Sequence, residues 1–323
     1  MMPKKVGILA HSDTDGICAA AIAKIRYPDA YVEFSKSTYE LASRLHALPA
    51  WDTVIILDLG LNVAQKIEVK NAFKKASKSH KIIYVDHHLI PSGITRRTLP
   101  CYAFVHRTNV SCSELALDFF KPPVSLQYIA LLGAIGDYRE HTRKMRRLVV
   151  KYGWRLIYLE EFLLEQAIEA SREDHPFKRK AIQGLAQGLW PSDIPGLIGR
   201  AGSGAKRERI IENYVRKNVQ KISRNMTLVT DPPFMATGLA AFYAARVANA
   251  EIGIGAYRAD YHIRFSMRRD EKSNLNLNTL VIKTTSKISG SSGGGHSAAV
   301  GGIVPIRKFN IFLRQLKREI SST

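Results

Sequence analysis

The chain has 323 residues, 46% of them hydrophobic, and its 48 Lys and Arg outnumber its 28 Asp and Glu to give a net charge of +20. That length suits two domains, because single cores rarely grow much beyond ~250–300 residues. No apolar stretch reaches the ~18–20 residues of a membrane span, and Met1–Lys5 leads straight into a strand, leaving no room for a signal peptide. Cys18, Cys101 and Cys112 are odd in number and lack metal-type spacing, which excludes a disulfide framework and predicts a reducing cytoplasm.

In chain order, the apolar run Val6–Ala10 reads as a strand ending in His11-Ser12-Asp13-Thr14-Asp15-Gly16, and Ile17–Ile25 as a small-residue helix behind it. Tyr31–Ser35 and Thr53–Leu59 are strand-like, residues 62–78 helical, and Lys81–Val85 is a buried strand running into Asp86-His87-His88. Helical patterns follow over Ser111–Phe120 and Leu126–Ile135, the latter running into Asp137. Strands separated by single helices predict an α/β domain built on a doubly wound parallel sheet. Ligands in such sheets collect beyond the carboxyl ends of the strands.

Asp13, Asp15, Asp58 and His87 all fall at such ends. Two divalent cations about 3.5–4 Å apart need several carboxylate and imidazole ligands, one of them able to bridge. Asp13 and Asp15, two residues apart in a loop, can each turn toward a different ion; Asp58, short and directly at a strand end, is the best-placed bridge. His87 supplies an imidazole, Asp137 closes the far side, and His11 offers a second imidazole. Such mixed ligation suits Mn²⁺ better than Mg²⁺, with Mg²⁺ or Co²⁺ as substitutes. Each residue also has a plainer reading. A strand-end Asp is commonly a helix N-cap, His11 can hydrogen-bond the loop, and His88 can be a core histidine. It is their joint occurrence that points to a metal centre, with Asp86 orienting a neighbouring imidazole.

Residues 141–226 are helical and basic, with a net charge of +9 against +4 for residues 1–140 and +7 for 227–323. Pro191, Pro195 and the loose stretch Gly196–Gly204 interrupt them before a helix over Lys206–Asn225. The domain reading is therefore residues 1–195 as the metal-bearing domain with trailing helices, 196–226 as a helical connection, and 227–323 as a smaller domain. In the last, Thr237–Ala241, Glu251–Ala256 and His262–Met267 read as strands, and Leu277–Ile288 and Lys308–Ile320 as helices. The amphipathic terminal helix is a candidate docking or oligomer surface. Strand alternation puts Arg264, Ser266 and Arg268 on one face, a row suited to phosphate or simply to solvent. Gly293-Gly294-Gly295-His296 opens a small-residue segment that suggests a helix N-terminus, where backbone amides and His296 would meet a phosphate. A flexible linker is the plainer alternative.

HSDTDG at 11–16, ILDLG at 56–60, VDHH at 85–88, GAIGDY at 133–138 and GGGH at 293–296, in this order, resemble the DHH–DHHA1 phosphoesterase superfamily over nearly the whole chain. The resemblance implies a DHH domain with two Mn²⁺ ions joined to a smaller α+β DHHA1 domain that binds substrate. Position by position it makes Asp13, Asp15, Asp58, His87 and Asp137 metal ligands, and places His88 beside the ions. It assigns Gly293, Gly294, Gly295 and His296 to a phosphate-binding loop and Arg268 to the substrate strand. His11 stands only two residues before Asp13, a spacing closer to RecJ-like nucleases than to the pyrophosphatase branch. Length and basic middle are similar to the small archaeal RecJ-like nucleases, among them the Hef-associated nuclease. The expected activity is a metal-dependent exonuclease on single-stranded nucleic acid, leaning to DNA digested 3′→5′ in repair or replication. Arg268 and His296 would neutralise developing charge, and a homo-oligomer or a replication or repair protein is an expected partner. The alternatives are a phosphodiesterase for very short RNAs or cyclic dinucleotides, and a non-catalytic scaffold.

Overall fold

The computed structural model describes residues 5–35, 40–61 and 65–321. The chain divides into two compact units, Met1–Ala205 and Lys206–Thr323. The first unit opens with β1 (Val6–His11), α1 (Thr14–Arg26), β2 (Tyr31–Ser35), α2 (Leu41–His46), β3 (Thr53–Leu57), α3 (Lys66–Ala76), β4 (Lys81–Asp86) and β5 (Ala103–His106). Every described pairing in this sheet is parallel, in the order β2-β1-β3-β4-β5. The alternation along each strand explains why both faces are covered. Ile8, Ala10, Ile55, Leu57, Ile83 and Val85 face one core, whereas Leu9, Val54, Ile56, Ile82 and Tyr84 face another. The first core is completed by α1, and the second by α2 and α3. This is the doubly wound α/β arrangement that the sequence pattern predicts. The edge strand β5 escapes that pattern because it is only four residues long and half-buried throughout. The start of the helix expected over 62–78 falls on residues 62–64, which lie outside the described residues; α3 accounts for the rest.

Because β2 and β3 lie on opposite sides of β1, the chain reverses direction across the sheet between β1 and β3. At such a switch point the loops beyond the carboxyl ends part and leave a crevice. His11 and Asp58 stand at those two strand ends.

The unit continues with α4 (Cys112–Phe120), α5 (Tyr128–Gly136), α6 (Arg143–Tyr152), α7 (Trp154–Ala170), α8 (His175–Ala186) and the start of α9 (Leu197–Asn218), a helix that passes the unit boundary after Ala205. Helix α5 packs on α1 and α4 through small residues that let the backbones approach. Of the stretch Gly196–Gly204, expected as a loose connection, all but Gly196 is instead the first part of α9. Burial of Leu197 and Ala201 in the core outweighs the unfavourable helix propensity of Gly199, Gly202 and Gly204.

The second unit contains β6 (Gln220–Lys221), β7 (Met226–Thr230), α10 (Thr237–Val247), β8 (Ile252–Arg258), β9 (His262–Arg269), α11 (Leu277–Thr285), β10 (Ser292–Gly295), β11 (Ala299–Pro305) and α12 (Phe309–Ser321). Its sheet runs β10-β11-β9-β8-β7-β6 and is antiparallel except for the parallel pair β7–β8. A parallel pair needs a crossover, and α10 supplies it. Thr237–Ala241, expected as a strand, is therefore helical. The sequence shows why: Ala240, Ala241, Ala244 and Ala245 form a buried stripe with the helical repeat. Phe309, Phe312 and Leu316 of α12 are buried in this unit's own core, so the apolar face of the terminal helix is already covered. Among the described residues no helix is long and apolar enough to cross a membrane.

Candidate functional site

The site grows out of the two strand ends at the switch point. After β1, Asp13 caps α1: its Oδ1 accepts from the Gly16 amide at 3.0 Å. The capping reading is thus realised, but it uses one oxygen only. Oδ2 lies 2.7 Å from His11 Nδ1. After β3, Asp58 sits at φ 58°, a left-handed conformation that costs a non-glycine residue on the order of 1–3 kcal/mol. That turn aims a nearly fully buried carboxylate between two imidazoles. Asp58 Oδ2 is 3.6 Å from His11 Nδ1, and Oδ1 is 3.1 Å from His87 Nε2.

Asp15 lies in the first turn of α1, where both its oxygens are held by the open end of α4. Oδ2 accepts from the Cys112 amide at 2.7 Å and Oδ1 from the Ser113 amide at 2.9 Å. Oδ2 is also 4.0 Å from His87 Nε2. The approach of α5 requires Gly133, since a Cβ there would stand 2.8 Å from Asp15 Oδ1. Asp137 follows the last turn of α5. Its Oδ2 is 3.5 Å from His87 Nδ1 and 3.5 Å from Arg139 Nε, so it stands on the opposite edge of the His87 ring from Asp15 and Asp58.

Among the three-residue groups whose donor atoms lie mutually within 4.8 Å are His11, Asp13 and Asp58, and Asp15, Asp58 and His87. Asp58 belongs to both, presenting one oxygen to each, and it also lies close to Asp86 and His88. Asp137 joins the second group through His87 rather than directly.

The electrostatics test whether cations fit here. Burial and the neighbouring Asp58 hold the Asp15 acid well above the usual carboxylate range. Burial, against the pull of His87, raises Asp137 to about 6. Burial opposes charge on His87, yet Asp58, Asp137 and Asp15 together raise it to about 11. Burial likewise opposes charge on His11, and Asp13 and Asp58 overcome it. The protein alone thus retains protons to offset a surplus of buried carboxylate. Among the described residues, Asp58 Oδ1 and Asp137 Oδ2 are buried oxygens that accept no hydrogen bond of good geometry. Divalent cations would replace those protons and occupy those lone pairs, so this donor set fits them.

The neighbouring pair Asp86 and His88 is organised differently. Asp86 is fully buried and its carboxyl is held below the usual range; burial works against this, and His88 outweighs it. Its Oδ1 lies 2.8 Å from His88 Nδ1, and its Oδ2 accepts from the Tyr84 hydroxyl at 2.9 Å. The same hydroxyl reaches the Leu59 carbonyl oxygen, and His106 Nε2 lies 2.6 Å from the His88 carbonyl oxygen. Gly60 makes room for this imidazole, because a Cβ would stand 2.8 Å from His88 Cγ. Asp86 thus orients His88, not the ring of His87.

Four supporting residues gave no sequence signal. Tyr84 and His106 brace the Asp86–His88 pair. Lys178 is buried on α8 and its Nζ donates to the Ser12 carbonyl oxygen at 2.9 Å, pinning the loop between His11 and Asp13. Glu161 of α7 is 1% exposed, and burial raises its carboxyl to about 9. Its Oε1 would lie 3.1 Å from a Cβ on Gly136, directly behind the Asp137 turn. Apart from the Tyr84 hydroxyl on Asp86, these contacts join positions distant in sequence, which local patterns cannot reveal.

Within the second unit, β9 alternates as predicted: Phe265 and Met267 face the core, and Arg264, Ser266 and Arg268 share the other face. There Thr237 Oγ1 meets Ser266 Oγ at 2.9 Å, and Arg268 lies alongside Gly238 in the first turn of α10. Gly293, Gly294 and Gly295 do not open a helix. They form β10, paired in a hairpin with β11, and His296 stands at its turn. The apolar residues Val300, Ile303 and Val304 give the following segment strand character, which explains the difference. The Gly295 amide is already engaged by Asn278 Oδ1 at 3.0 Å.

Carboxylates and imidazoles gathered at the strand ends of a doubly wound sheet define a candidate site for divalent cations. Residues 5–144 match the model of the DHH family, N-terminal domain. Among solved structures, the chain is similar to a DHH domain described as a member of a family of ribosomal proteins, with TM-score 0.71, 14% identity, and coverage of 98% of this chain and 86% of that one. RecJ from Thermus thermophilus in complex with Mn²⁺ has TM-score 0.65 and 15% identity, covering 99% of this chain and 52% of RecJ; this chain spans about half its length. A pGpG-specific phosphodiesterase, PggH from Vibrio cholerae, has TM-score 0.57 and 16% identity, covering 98% and 99%. No curated protein sequence matches significantly.

Proposed function

We propose that the protein is a two-metal-dependent exonuclease that hydrolyses phosphodiester bonds of single-stranded nucleic acid, with DNA digested from the 3′ end. The observation that carries the hydrolytic reading is Asp58, whose two oxygens face His11 and His87 in two separate donor groups. His11, Asp13, Asp15, Asp58, His87 and Asp137 would hold a pair of divalent cations, Mn²⁺ in preference to Mg²⁺ or Co²⁺. Bound there, such cations supply an activated water and neutralise charge on the phosphate. His88, held at Nδ1 by Asp86, would turn Nε2 toward a phosphate oxygen or the leaving group. Arg268 would hold substrate phosphate, with Arg264 on the same strand face and Gly293–Gly295 and His296 as further phosphate contacts. Support for a polymeric substrate is the net charge of +20, of which +16 lies beyond residue 140. The proposed setting is repair or replication in the cytoplasm.

Purified protein with Mn²⁺ should release mononucleotides from 3′-labelled and 5′-labelled single strands, faster from DNA than from RNA. Asp58→Ala should abolish release, and full activity in that variant would sink the assignment. A second reading, a phosphodiesterase for dinucleotides or cyclic dinucleotides, is favoured by one observation: the chain matches the pGpG-specific enzyme over almost the whole length of both. A strand-length series separates the two, since a steep preference for the shortest substrates favours the second.

A further inference from the structure

The loop after Asp137 leads into α6, whose sequence Arg-Lys-Met-Arg-Arg-Leu-Val-Val-Lys-Tyr holds five basic residues and no acidic one. Its faces differ. Met145 and Leu148 are buried, and Lys144 is paired with Asp118. Arg143 and, one helical turn on, Arg146 and Arg147 project from the exposed side and line a cleft of about 460 Å³ together with His141 and Val150. Among the described residues these three guanidinium groups form no hydrogen bond or ion pair. Trp154 is 66% exposed where α7 begins, four residues beyond Val150.

Three unpaired guanidinium groups around one concavity repel one another, and a bound polyanion relieves that repulsion. Arginine forks match phosphate oxygens two at a time, and an exposed indole offers a face on which a base can stack. An acidic protein segment would satisfy the charge but has no use for the indole face. A second copy docked with twofold symmetry would set the same arginines against each other. Arg143 follows Asp137 by six positions, so the Cα atoms of the two residues stand no more than about 22 Å apart. We infer that this arginine cleft binds the phosphate backbone of a single-stranded nucleic acid several nucleotides away from the scissile bond. It would make affinity, and not the chemical step, depend on strand length. This inference rests on the nucleic-acid reading of the function.

The test reads binding in EDTA, where no turnover occurs, using labelled oligo(dT) and oligo(U) length series and quenching of Trp154 fluorescence. Combined Arg143→Gln, Arg146→Gln and Arg147→Gln should weaken binding of long strands by about tenfold or more and make the slope of log affinity against log salt shallower by about 2. Dinucleotide hydrolysis with Mn²⁺ should stay at the wild-type rate, which also shows that the variant is folded. The matching triple Arg→Lys variant, which keeps the charge, should keep the slope. Unchanged long-strand affinity and slope in the Gln variant would overturn the inference. So would competition by inorganic polyphosphate or poly-glutamate as strong as that by unlabelled strand. Wild-type binding without hydrolysis would instead overturn the functional proposal and leave the cleft standing.

Discussion

The two units handle charge in opposite ways. In the first, carboxylates and imidazoles gather beyond the strand ends, Asp15, Asp58 and His87 among them buried, and several are braced: Asp15 by two α4 amides, Asp58 by a strained turn, His88 by Asp86. In the second, arginines share a half-open sheet face, and the contacts of Arg268 with its own unit include the Met267 carbonyl oxygen and Gly238. Ions must be held at fixed distances in a low dielectric, so their ligands need bracing from several elements. A phosphate that enters and leaves needs charge that remains accessible. Damage to the first region should therefore remove the chemistry, and damage to the second should weaken substrate binding.

Four substitutions break or sharpen that contrast, in decreasing order of effect. Asp58→Ala should lower metal-dependent hydrolysis by on the order of a thousandfold or more, measured as initial rate at saturating substrate. Asp86→Asn, which loosens His88 without touching the two donor groups that Asp58 joins, should lower kcat about 10- to 100-fold. Arg268→Ala should raise KM and lower kcat/KM by about 10- to 100-fold while leaving Mn²⁺ affinity unchanged; a loss of Mn²⁺ affinity would contradict the division of labour. The smallest effect concerns Glu161. Its folded carboxyl, at about 9, lies above the ordinary 4.5, so its contribution to stability is complete below about pH 4.5 and is lost as pH rises toward 9. Glu161→Gln should flatten this dependence, raising Tm at pH 8 by on the order of 5 °C with little change at pH 4.5.

Much of the first unit was legible because its signals are local. Continuous apolar runs ending in Asp or His define both the strands and the carboxyl ends where ligands gather, and His11, Asp13, Asp15, Asp58 and His87 converge there. Asp137 is subtler: it follows a helix and reaches the cluster across the far edge of the His87 ring. The second unit misleads more because glycine and alanine carry little periodicity. Gly293–Gly295 looks like a helix-opening loop but pairs as a strand, and Thr237–Ala241 has strand-like apolarity although its alanines repeat as a helix. Lys178 and Glu161 could not be anticipated, since both act through contacts between elements far apart in the chain.

The carboxylates and imidazoles at the strand ends are proposed to form a cation site organised around Asp58. Equilibrium dialysis of Mn²⁺ against the wild-type chain and Asp58→Ala, each verified as folded by circular dichroism, tests it directly. The predicted result is two ions per wild-type chain, with loss of both, or of one with marked weakening of the other, in the variant. Equal stoichiometry and affinity in the two proteins would contradict it.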